Sequence, residues 1–267
     1  MAGHKKGSLL WYLENVVRMH ESVYGWDKTV KVSAYALSLA SGYAQRVKGA
    51  QHPITAGLAE AGGHMGMHRV CERLAGGPFG LPAEIDNLLN GRWSGGWEDP
   101  AILRCNQLQS LSMCVYYPLE HLLWASAAVP SLCKLPPWAS EAASRVSCMF
   151  WSLWLLVDLY AVRRRYAELA KVKALLLRRR AMTPQLQAAI DRKAVDLRFH
   201  LARLLFYLPN ALHWSLPSHY SYLGTGLPPR LLLQLFGLAE AVTGWIATFQ
   251  GRGPSRPAGL PSIKDSE

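Results

Sequence analysis

The chain has 267 residues, 50% of them hydrophobic, and a net charge of +11 with ten Trp and eleven Tyr. That apolar fraction is ordinary for a globular protein and does not by itself mark a membrane protein, while the excess of Lys and Arg predicts an anionic partner, nucleic acid or an anionic lipid surface. The five cysteines, an odd number without a CxxC pair, exclude a disulfide framework and fit reduced thiols in a cytosol-facing compartment.

No secretory h-region is legible, because Glu14, Asn15 and Arg18 interrupt the run that begins Leu9-Leu10-Trp11. The C-terminal Asp265-Ser266-Glu267 is neither a peroxisomal nor an ER address, so internal signals are expected to guide membrane entry after synthesis. Segment 8–24 reads as an amphipathic helix ended by Gly25, with Leu9, Leu13, Val16, Val17 and Tyr24 on one face and Glu14, Arg18 and Glu21 opposite. A second helix is predicted over 28–47, its stripe formed by Val32, Ala36, Leu39, Ala40, Tyr43 and Val47. Pro53 breaks the chain. Segment 54–75 predicts a helix that is weak alone, because Gly57, Gly62, Gly63 and Gly66 each cost roughly 1 kcal/mol relative to Ala. Residues 76–100 read as loop, punctuated by Gly76-Gly77-Pro78, Leu81-Pro82 and Gly95-Gly96. A helix from about 100 to 128 follows, kinked at Pro118.

Two apolar runs are long enough to consider as spans. Residues 146–162 cover about 25 Å and stop at Arg163-Arg164-Arg165, as a membrane exit would. Residues 231–249 cover about 28 Å with Glu240 at the centre. A central carboxylate opposes insertion by about 3 kcal/mol, and the nine Leu, Phe, Ile and Val residues return about 4–5, so insertion is marginal but favourable. Between the runs lie a basic helix, 163–181, and an amphipathic helix that Thr183-Pro184 starts and Pro209 ends. Twelve Lys and Arg fall between 163 and 203, and residues 251–267 read as a disordered tail. Without strand alternation or repeats, the fold class is all-α: a membrane-associated helical bundle with N-terminal amphipathic helices and one or two transmembrane helices. Its divisions are a membrane-binding region over 1–135, a spanning region over 136–250 and the tail.

Catalytic chemistry is hard to find. There is no GxSxG, GxGxxG, P-loop or HExxH, and no cofactor is expected. Glu60, His64, His68 and Glu72 recur every four residues, a spacing that suits either a shared metal or a plain polar face. The glycines among them argue against a rigid ligand platform, so no metal is expected. Glu120 and His121 are neighbours on a helix and point about 100° apart, which disfavours an acid–base pair. Three readings of Glu240 stay open: a functional intramembrane carboxylate, a protein-facing group paired with His213, Arg230 or a headgroup, or a buried residue of a soluble bundle. The basic cluster 163–180 suits acidic headgroups, nucleic acid or a solvated face, and its place beside an apolar run favours lipid.

Several short segments, in order, resemble one family. Tyr116-Tyr117-Pro118-Leu119-Glu120-His121 with Trp124-Ala125 is similar to the segment that characterises the peroxin-11 proteins of the peroxisomal membrane, above all their gamma branch. Gly25-Trp26-Asp27-Lys28, with Lys31 and Tyr35, resembles the family's N-terminal motif. Asn210-Ala211-Leu212-His213-Trp214 resembles the motif before the last membrane segment, and Pro228-Pro229, Gly237 and Phe249-Gln250 resemble that segment itself. The resemblance covers about residues 8–250. It implies an integral peroxisomal membrane protein, or a glycosomal one as in trypanosomatids, that remodels and elongates the membrane before division. It also implies self-association, recruitment of fission machinery and no enzymatic activity. The family's curvature helix corresponds to 54–75, which is glycine-rich here, so helices 8–24 or 28–47 are expected to take that part, with Lys28 and Lys31 on lipid phosphates and Val32, Ala36 and Leu39 in the interface. The alternative is a membrane-anchored channel, with Glu240 lining the path, or an adaptor scaffold. Anionic lipids and further copies of the chain are the expected partners, and nucleic acid is not.

Overall fold

A computed structural model describes residues 7–74, 80–91, 95–216 and 229–263, and the chain is all-helical there. The glycines at 76 and 77, Pro228 and the last four residues lie outside the described residues, as do the contacts of Arg230.

Helix α1 (Leu9–His20) starts at Ser8, whose hydroxyl accepts from Trp11 N, and α2 (Val23–Lys48) starts at Ser22, which accepts from Gly25 N at 3.0 Å. Gly25 therefore does not end a helix. It lies in the first turn of α2, where a Cβ would stand 2.0 Å from the Met19 carbonyl oxygen, so only glycine lets the two helices turn this tightly. Helix α3 (Pro53–Leu74) forms despite its glycines. The stretch read as loop contains α4 (Leu81–Asn90), bracketed by Gly80 and by Gly91 in the left-handed region.

Asp99 caps α5 (Pro100–Ala128), which accommodates Pro118. Helix α6 runs unbroken from Pro137 to Arg178, about 63 Å, straight through the three arginines expected to end it. Continuity follows from pairing: Arg165 turns inward to Asp158 at 3.0 Å, and Arg164 reaches Asp99 at 2.7 Å. Helix α7 (Pro184–Ser215) is capped by Thr183 and continues past Pro209, and α8 spans Pro229–Phe249.

Six helices close a ring. In order, α2 packs on α3, α3 on α5, α5 on α6, α6 on α7, α7 on α8, and α8 returns to α2. Helix α1 lies against α2 and α8, and α4 against α5. Packing crosses residue 135 freely, so the N-terminal region is not a separate unit.

Around the cavity the ring buries charge, beside two apolar clusters centred on Leu155 and Val162 and on Leu169 and Val172. On α6, Val146, Met149, Leu153, Leu156 and Tyr160 face outward at helical spacing, while Asp158 and Arg165 are buried on the inner side. A charged interior with an apolar exterior is stable where the surrounding solvent is hydrocarbon. Helix α6 and residues Leu231–Phe249 of α8 are long and apolar enough to cross a membrane.

The described part of the tail is docked. Trp97 Nε1 donates to Pro254 O at 2.8 Å, Ile263 N donates to Glu98 Oε2 at 2.7 Å, and Leu260 joins the apolar cluster of Ile102, Leu169 and Val172.

Candidate functional site: a charged cavity inside a ring of helices

All six ring helices contribute to a cavity of about 670 Å³. Its wall combines aromatic rings, Tyr24, Tyr116, Tyr117, Trp151 and Tyr207 among them, with seven Lys or Arg and four Asp or Glu side chains.

The wall is built from ion pairs between helices. Asp27 of α2 accepts from Lys28 Nζ at 2.9 Å and from Arg69 Nε of α3 at 2.6 Å. Burial pushes the Asp27 carboxyl up, but the two cations outweigh it and hold it well below the usual carboxylate range. Arg73, one turn further along α3, forks onto Glu120 of α5 through two bonds of 2.6 and 2.9 Å, and Tyr116 donates to the same carboxylate at 2.6 Å. On the opposite side, Asp158 of α6 is shared by Arg165 and by His200 of α7 at 2.8 Å. Glu240 of α8 is fully buried behind the wall, ion-paired with Lys31 of α2 and, at 2.9 Å, with Arg203 of α7. Its ion-pair partners are these two side chains and not His213.

Glu84 of α4 also faces the cavity, with its carboxyl near Ser110. Burial raises its pKa to about 7.

Lys28 and Lys31 point into the ring and not onto its outer face. They are 7% and 2% exposed and sit over the rings of Tyr24 and Tyr207, at 4.3 and 3.8 Å. A neighbouring carboxylate and an aromatic face offset part of the cost of burying each ammonium. Of the apolar stripe on α2, Val32 and Leu39 are half-buried, while Ala36, Ala40, Tyr43 and Val47 are exposed.

The motif residues meet at the ring's seams. Asp27 ties α2 to α3, Tyr116 and Glu120 tie α5 to α3, and Gly237 leaves room on α8 for the Tyr35 ring of α2. Tyr117 stacks on His121, Pro118 stays within α5, and Trp124 is half-buried. Asn210 is buried in α7, and His213 packs against the exposed Trp214. The profile of the peroxisomal biogenesis factor 11 family matches residues 13–247.

The chain belongs to that family. It is thus a peroxisomal membrane protein involved in peroxisome proliferation, and its family is one of biogenesis factors and not of enzymes. No curated protein and no solved structure matches the chain.

Reading the sequence of this peroxisomal biogenesis factor 11 member misses most of the cavity. Arg69, Arg73, Arg203 and His200 carry no local signal, because their partners lie 37 to 47 residues away. Asp158 and Arg165 had one: a spacing of seven puts both on the inner face of one helix. Glu60 pairs with His64 and His68 with Glu72 within α3, and among the described residues no three potential ligands converge as a metal site would require.

Proposed function

We propose that this peroxisomal protein bends and elongates the membrane ahead of fission, with α1 lying in the headgroup region as a wedge. The observation that carries this reading is the orientation of α1. Leu9, Leu10, Leu13 and Val17 are 73%, 55%, 51% and 57% exposed. Arg18, by contrast, reaches back to the carbonyl of Phe249 at the end of α8. An amphipathic helix that turns its apolar stripe away from the protein has lipid as its natural partner. The outer face of α6, across the ring, presents further apolar side chains to the surroundings, and the net positive charge favours anionic headgroups. Insertion of many copies into one leaflet expands that leaflet and curves the bilayer. Self-association and recruitment of fission machinery complete the proposal.

The test is reconstitution of the full chain with liposomes that contain anionic lipid, scored for tubules by electron microscopy. Replacing Leu9, Leu13 and Val17 with Gln should reduce tubulation to the protein-free level with the helical circular dichroism unchanged. Tubulation equal to that of the unmodified chain would overturn the assignment to α1. The channel reading has an observation of its own, the cavity at the centre of the ring. Glu240 does not lie on the wall of that cavity, so a pore would have to conduct past Arg203 and Lys31 instead. Single-channel recording with Arg203→Gln distinguishes the two readings: conductance that changes with the substitution supports a pore.

A further inference from the structure

Positive charge inside the ring exceeds negative charge. Three carboxylates each serve two cations: Asp27 holds Lys28 and Arg69, Glu240 holds Lys31 and Arg203, and Asp196 holds Lys193 and Arg252. Arg73 with Glu120 and Arg165 with Asp158 are balanced one to one. Glu84, with its pKa near 7, adds only part of a charge at neutral pH. A surplus of desolvated cations is costly for a closed interior, because each buried charge needs a counter-charge to offset its lost hydration. The space that these cations face has the volume of a ligand site. Five of the wall cations, Arg69, Arg73, Arg165, Arg203 and Arg252, are guanidinium groups, whose planar forks match the oxygens of a phosphate group. The aromatic side of the wall, Tyr117 with Trp151 and Trp154, suits an apolar or ring-bearing part of the same molecule.

We infer that the cavity enclosed by the ring is a binding site for a phosphate-bearing anion, held by the cations that share Asp27, Glu240 and Asp196. Side-chain exposure rises from 2% at Lys31 to 20% at Arg203 and 24% at Arg252, which places the entrance beside Arg252. The phosphate can belong to a lipid headgroup that enters from the bilayer or to a water-soluble phosphate compound. This site is separate from the α1 wedge, and its existence does not depend on membrane remodelling.

The pairing suggests variants that spare the fold. Lys28→Gln leaves Asp27 with Arg69, and Arg252→Gln leaves Asp196 with Lys193, so no carboxylate is orphaned. The full chain, solubilised in an uncharged detergent, is titrated calorimetrically with inorganic pyrophosphate and, separately, with short-chain phosphatidic acid, with short-chain phosphatidylcholine as the zwitterionic control. Saturable binding of pyrophosphate that weakens about tenfold or more in the double variant supports the site with a soluble occupant. Binding of phosphatidic acid alone, with the same loss in the variant and little binding of phosphatidylcholine, supports it with a lipid occupant. Absence of saturable binding for both anions, or binding that the double variant leaves unchanged, overturns the inference. Circular dichroism and thermal unfolding of the double variant show that any loss is not a failure to fold.

Discussion

Asp27, Glu240 and Asp158 occupy positions where an isolated charge would be untenable, and each is held by two donor side chains, which at Asp27 keep the carboxyl ionised. Glu84 has no such partner at its Oε2 and behaves in the opposite way. Its folded-state pKa of about 7 lies above the ordinary 4.5, so the folded protein retains a proton that the unfolded chain releases. Stability from this group is therefore greatest below about pH 4.5, declines as pH rises, and levels off above about 7, a loss on the order of 3 kcal/mol. Glu84→Gln should remove that decline. Thermal unfolding of the solubilised protein between pH 5 and 8 checks it: the difference in Tm between variant and parent should widen as pH rises, in favour of the variant. A constant difference would show that Glu84 does not titrate in this window. Such a residue could not be singled out by sequence, since nothing local to Glu84 announces that Ser110 and the cavity wall enclose it.

Helices were legible where the signal was local. Thr183-Pro184 and the apolar stripe of α7 set a start and a face through neighbouring side chains and the backbone alone. Ends were harder. Pro209 stays inside α7, and the triple arginine stays inside α6, because tertiary partners outweigh the local preference to stop. The seam between α2 and α8 gives a test at this scale. A methyl group on Gly237 would lie 2.1 Å from the Tyr35 ring, so Gly237→Ala must displace that ring or separate the helices. The expected cost is about 1–3 kcal/mol, read as a lower Tm. Adding Tyr35→Ala should make the double variant less destabilised than the sum of the two single changes. Strict additivity would mean that the two residues do not meet across this seam.

At the scale of the whole molecule, the ring places charge at its centre and apolar side chains on its outside. Buried charge around a cavity, Leu and Val on outer faces, and two helices of spanning length are compatible with a place in the membrane. Alkaline carbonate extraction of isolated peroxisomes should therefore leave the protein in the membrane pellet. Release into the supernatant would mean that neither α6 nor α8 spans. The same arrangement explains why the N-terminal and C-terminal regions cannot be treated as separate parts: α2 completes the ring by packing on α8, and Lys31 provides the counter-charge for Glu240.

By itself, the sequence determined the all-helical class, the two long apolar segments, the absence of familiar catalytic motifs and the membership indicated by its ordered motifs. Periodicity, capping residues and short motifs are local, and a linear reading captures them. Only the tertiary structure decided which way those faces point. It turned Lys28 and Lys31 inward, turned the leucines of α1 outward, and gave Glu240 its partners on α2 and α7. The physical reason is that a buried ion pair depends on atoms brought within about 3 Å across distant stretches of chain. No spacing along the sequence encodes that distance.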